Sequence, residues 1–116
     1  MKSILERFEK DFLAIFNTML ILGIILEGEN VWTYQIKKRF SEINEYKSSI
    51  PDSTLYTTLT KLEKNYELII SKEDESVQRR YFSATDKGRK EFALAKEFWN
   101  TICLMGNVSF NRLVIK

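Results

Sequence analysis

The chain of 116 residues is sized for one domain, and 18 Lys and Arg against 16 Asp and Glu leave a net charge of +2. So small an excess excludes a sequence-blind coat on nucleic acid, since any cations that meet a polyanion must be arranged rather than abundant. The single Cys103 excludes an intrachain disulfide, and the absence of histidine removes the commonest metal ligand and the usual neutral-pH base.

The first predicted element contains "FLAIFNTMLILGIIL", Phe12 to Leu26. It is short for a membrane span, includes Asn17 and Thr18, and lies between Asp11 and Glu27. Glu6, Glu9 and Asp11 stand where a signal peptide would be basic, so a buried helix and no membrane partner are expected. Phe8, Phe12, Ile15, Met19 and Leu22 recur at helical spacing in a helix nearly apolar all round, which makes it central or shared between subunits. "EGEN", Glu27 to Asn30, supplies a glycine to stop it and an asparagine suited to cap the next helix.

Trp32, Ile36, Phe40 and Ile43 then share one helical face while Gln35, Lys38 and Glu42 point away, which predicts a second helix to about Ile43. Lys37, Lys38 and Arg39 could approach a phosphate but read equally as a solvated face. "NEYKSS", Asn44 to Ser49, breaks the pattern, and Pro51 suits the first turn of a third helix.

That helix carries "STLYTTLTKLEK", whose threonines favour a strand by propensity. Leu55, Leu59 and Leu62 fall within about 60° of one another on a helical wheel, whereas a strand would send Leu62 to the opposite face. Threonine costs a few tenths of a kcal/mol per residue in a helix, and burying a leucine is worth about 1.5 to 3 kcal/mol, so the helix wins. Opposite the leucines stand Ser53, Thr54, Thr57, Thr60, Lys61 and Lys64. Small donors and acceptors come first and cations later, the order in which a helix entering the major groove meets base edges and then phosphate. Taken alone these side chains could simply solvate an exposed face. Tyr56, at the edge of the leucine stripe, is expected to pack.

"ELIISKE" and "VQRRYFS" read as a hairpin turning through Asp74 to Ser76. It would bring Lys72, Arg79 and Arg80 beside the third helix, where they could hold a flanking phosphate. Glu73, Asp74 and Glu75 crowd the turn and would keep the tip out of a groove. Thr85 caps a last helix with Asp86 in its first turn and Phe92, Ala95, Trp99 and Ile102 as its stripe. Leu94, Phe98 and Met105 form a second apolar face fit for another copy of the chain. Cys103, beside the stripe, is expected in the core. "VSFNRLVIK" reads as a frayed end or a further dimer contact.

Three helices, a hairpin and a helix make the fold class mainly α with a small β-hairpin, a winged helix-turn-helix followed by a long C-terminal dimerisation helix. The expected division is 1–84 for the DNA-binding unit and 85–116 for the dimerisation helix and tail. Metal-ligand spacing, a phosphate loop and convergent carboxylates are all missing from the sequence, so no cofactor, metal or catalysis is expected. A sequence-specific DNA-binding regulator is the leading reading. A DNA-binding protein for plasmid or phage segregation or replication control is the alternative.

Three motifs resemble the PadR-type transcriptional regulators. "STLYTTLTKLEK" is similar to their "TLYxxLxxLEK", "RRYFSATDKGRKEF" to "RxYYxLTxxGRxxL", and "ILGIILEGEN" to their first helix and turn. The resemblance implies a cytoplasmic homodimeric repressor on a pseudo-palindromic operator of double-stranded DNA. The length is similar to a short subfamily that includes multidrug-binding repressors, in which an aromatic residue of the last helix sandwiches planar drugs at a dimer pore. Counted from the Thr85 to Gly88 cap, the matching residue is Trp99, with Ile102 beside it. What this implies is a planar aromatic small-molecule effector; a tryptophan of the dimer core that meets no ligand is the other reading.

Overall fold

The computed structural model describes residues 3–45 and 49–116, so Tyr46 to Ser48 of the expected loop lie outside the described residues. Ser3 opens α1, Ile4–Gly28, its hydroxyl accepting from the Leu5 amide at 3.1 Å. Then follow β1 (Val31–Trp32), α2 (Thr33–Ile43), α3 (Asp52–Thr60), a π turn (Lys61–Asn65), β2 (Ile69–Asp74), β3 (Arg79–Ala84) and α4 (Asp86–Arg112). The order and the helical class are those expected, and the differences in detail have physical causes.

The first is at the end of α1. Gly28 is its last residue, but Glu29 takes a positive φ, 68°, and its amide bonds to the Ile25 carbonyl at 2.9 Å. Gly28 is needed for space, because a Cβ there would stand 2.2 Å from Val31 Cγ1. The second is that Asn30 does not cap α2. Val31 and Trp32 form a short strand against Phe82 and Tyr81 of β3, and the Trp32 amide donates to Gln35 Oε1 at 3.1 Å. Trp32 is therefore a strand residue at the helix entrance rather than part of the α2 stripe, of which Ile36 and Phe40 are buried and Ile43 is exposed.

The third is that β3 pairs on both sides, giving an antiparallel sheet in the order β1-β3-β2 rather than a bare hairpin. The turn runs over 75–78, starting one residue and ending two residues beyond the expected Asp74 to Ser76, with Gln78 at φ 52°. Asp74 accepts from the Ser76 amide at 3.1 Å and hydroxyl at 2.6 Å, and these bonds hold its carboxyl below the ordinary value.

Helical period places Ile21, Leu22, Ile24 and Ile25 of α1 on one side, where they meet Ile36 and Phe40, Leu55, Leu59 and Leu62, and Ile69 and Phe82. By length and composition α1 could cross a membrane, but its C-terminal half supplies this core. Arg39 on α2 grips Glu27 through two hydrogen bonds of 2.7 and 3.0 Å, which lower the Glu27 carboxyl pKa and fix α2 against the end of α1. Lys37 pairs with Asp52 in the first turn of α3. The charge run on α2 thus joins helices at two of its three positions.

The start of α4 is tied to the chain before β2. Thr85 Oγ1 accepts from the Gly88 amide at 3.0 Å and donates to the Glu67 carbonyl at 2.9 Å, and the Thr85 amide reaches the Leu68 carbonyl at 3.0 Å. The expected cap is therefore present. Beyond it Phe92, Ala95, Trp99 and Ile102 are half-buried, and Leu94, Phe98 and Met105 are exposed. Cys103, expected in the core, is exposed. The reason is that α4 lies across the domain rather than inside it, with only Gly88 buried. The helix continues through most of the expected tail, to Arg112.

Candidate nucleic-acid interface

On α3 and the π turn the leucine spacing has the expected result: Leu55, Leu59 and Leu62 are buried. Ser53, Thr54, Thr57, Thr60, Lys61 and Lys64 are all exposed on the other side. Three threonines bond to their own helix, Thr57 Oγ1 to the Ser53 carbonyl at 2.8 Å, Thr58 Oγ1 to Thr54 at 2.8 Å and Thr60 Oγ1 to Tyr56 at 2.9 Å. This back-bonding uses the hydroxyl proton, so Thr57 and Thr60 present outward an accepting oxygen and a methyl group. An amino group or a thymine methyl on a base edge would suit them.

Tyr56 was expected to pack and is instead 58 % exposed. It sits about 90° from the centre of the leucine stripe on the wheel, far enough round to leave the core. The signal available in the sequence was its four-residue separation from Thr60, which places both on one flank.

Two grooves flank α3. One of about 260 Å³ opens toward α1 and is lined by Ser53, Thr54, Thr57 and Lys61 with Ala14, Asn17 and Thr18. The other, about 240 Å³, opens toward the sheet and collects Tyr56, Thr60, Glu63, Lys64 and Arg80. Alternation along β3 decides which wing cations reach it. Arg80 faces α3 and donates to Ser71 Oγ at 3.0 Å, with Glu73 at 3.7 Å.

Arg79 faces the other way, its guanidinium 3.9 Å from the centre of the Trp32 ring, a cation–π stack. Lys72 pairs with Tyr81 on that outer face too. The sequence placed all three cations beside α3, whereas the fold brings only Arg80 there. The acidic tip, Glu73 to Glu75, lines a hollow on the far side with Lys72 and Tyr81.

Trp99 packs on Phe16 of α1, ring centroids 5.7 Å apart, over an apolar cleft of about 160 Å³ that Met19, Leu20, Phe92 and Lys96 complete. Ile102 lies half-buried one turn further on.

Residues 21–94 match the family described as the transcriptional regulator PadR-like family. Among solved structures, a transcriptional regulator from Clostridium thermocellum is similar, with 27 % identity over 90 % of this chain and 99 % of that one and a TM-score of 0.72. A PadR family transcription regulator from Clostridium difficile R20291 shares 25 % identity over 78 % and 95 %, at a TM-score of 0.66. A protein from Streptococcus mutans UA159 shares 28 % over 89 % and 94 %, also at 0.66. No curated protein matches the sequence. The family match covers most of the chain, including the α3 face, the wing and the capped start of α4, so this protein belongs to the PadR-like family and is a DNA-binding transcription regulator of winged-helix fold, not an enzyme.

Proposed function

We propose that this regulator is a cytoplasmic homodimeric repressor that reads a pseudo-palindromic operator through the outward face of α3. The observation that carries the reading is the order of side chains on that face: small hydroxyls at its start, lysines at its end, and Arg80 across the groove. Ser53, Thr54, Thr57 and Thr60 would meet base edges, with Tyr56 at their flank. Lys61, Lys64 and Arg80 would meet phosphates. Arg79 and Lys72, on the outer face, would serve only a phosphate that passes beyond the sheet.

The dimer reading rests on the surface that one chain leaves open. The radius of gyration is 16.7 Å, against about 13 Å for a compact domain near this size. The long helices project, and Phe8 and Phe12 stack at 4.4 Å on an exposed stretch of α1. With residues 1–84 on DNA and 85–116 pairing the subunits, two α3 helices would reach two half-sites, and a dimer across a promoter excludes the polymerase. The apolar cleft under Trp99, with Ile102 half-buried one turn further along α4, supports a planar aromatic effector at the subunit interface.

Lys64→Ala is expected to weaken binding to all duplexes alike and to shallow the salt dependence by about one unit per half-site. Thr57→Ala should leave the salt slope alone and relax preference at one base position per half-site. Titrations at four salt concentrations check both. A lysine variant with the parental slope would remove Lys64 from the contact surface.

A further inference from the structure

The groove between α3 and the wing contains an anion, Glu63, where a phosphate backbone is to approach. A carboxylate keeps its charge when hydrogen-bonded, so the partners of Glu63 decide what it does there. Its Oε2 accepts from the Ser71 amide at 3.1 Å and the Ser71 hydroxyl at 2.8 Å. Because the only proton on Ser71 Oγ goes to Glu63, the serine oxygen is left to accept, and Arg80 Nη1 donates to it at 3.0 Å. The chain of donors therefore runs one way, from Arg80 through Ser71 to Glu63, and ends on a charge.

Two features of the backbone make this link specific. Glu63 lies in the π turn, where the Tyr66 amide bonds to the Lys61 carbonyl at 3.2 Å across five residues. Such a turn re-aims the side chains it holds. Ser71 lies on β2, an edge of the sheet among the described residues, and its amide takes the carboxylate rather than a neighbouring strand. The Arg80 side chain stays 54 % exposed, with guanidinium N–H groups left over for a phosphate.

We infer that Glu63, acting through Ser71, is a positioning residue that fixes the angle between wing and α3 and aims Arg80 at the phosphate beside the bases α3 reads. This rests on the proposed reading of α3 as the DNA-facing helix. Glu63 touches no DNA itself; it makes the Arg80 contact possible.

The test is a double-mutant cycle on the full chain, using a duplex enriched by the parental protein from a random pool and titrated over a range of salt. Arg80→Ala alone should weaken binding roughly tenfold and shallow the salt slope by about one unit per half-site. Glu63→Ala should produce most of that loss by itself, and adding Arg80→Ala to it should cost less than twofold more. Glu63→Gln should recover part of the affinity, because its amide oxygen still accepts from Ser71. Ser71→Ala, which removes the acceptor without touching the helix, should uncouple Arg80 in the same way and decides the matter if Glu63→Ala does not fold. If Arg80→Ala still costs tenfold in both backgrounds, the positioning role is overturned and the DNA-facing reading stands. If Arg80→Ala and Lys64→Ala change nothing in the parental chain, that reading fails and the role of Glu63 with it.

Discussion

Replacing Phe98 and Met105 together with glutamate is expected to leave a folded monomer that binds its operator at least about a hundredfold more weakly than the parent. The two side chains are 65 % and 55 % exposed on the outer face of α4 and contribute nothing to the core of their own chain. The protomer should therefore keep its melting behaviour apart from the contribution of the subunit contact, which depends on protomer concentration. In the proposed dimer two carboxylates facing their symmetry mates would be desolvated without partners, a cost of several kcal/mol set against the subunit contact. Loss of the second reading head removes the effective-concentration gain of two linked sites, about 10²- to 10⁴-fold. Sedimentation should show a monomer, and titration should show the same weak affinity for a palindrome as for one half-site. A variant that sediments as a dimer and keeps the parental affinity would rule out this face as the subunit contact.

The second large effect concerns one methyl group. Gly88→Ala is expected to destabilise the protein by about 3 kcal/mol and to lower the melting temperature by about 10 to 15 °C. A Cβ at Gly88 would stand 2.2 Å from the Leu68 carbonyl oxygen. That oxygen is backbone, and it already accepts from the Thr85 amide at 3.0 Å, so it cannot move aside without breaking the attachment of α4. The glycine is required for close approach, not for a left-handed conformation, since no described glycine has positive φ. Because the clash acts at the junction between wing and α4, DNA binding should fall with the folded fraction and not below it. A melting curve superimposable on that of the parent would show that the junction has room.

Much of this was legible in the sequence, because helical periodicity survives adverse propensity. Leu55, Leu59 and Leu62 overrode four threonines, and Thr85 announced α4 through an oxygen that accepts the Gly88 amide. What could not be read were contacts between residues far apart in the chain. Val31 and Trp32 become a strand only because Phe82 and Tyr81 arrive beside them, and two residues have no period to detect. The wing cations were read as a group, yet alternation sends Arg79 onto Trp32 and Arg80 toward α3, and only the register against β2 says which goes where. Glu63 looked like part of a helical signature; that its carboxylate caps an edge strand depends on the π turn, which composition does not announce. Cys103 sits beside an apolar stripe, but one chain alone does not cover it.

That the α3 face reads bases is tested most directly by selecting bound duplexes from a random pool, once with the parental protein and once with a Ser53→Ala, Thr57→Ala, Thr60→Ala variant. These side chains are exposed and outside the core, so the variant should fold. The parent should enrich a pseudo-palindrome with half-sites about one helical turn apart, and the variant should keep the spacing while losing base preference within each half-site. Enrichment of the same sequence by both proteins, or of none by the parent, would contradict the assignment of α3 as the base-reading helix.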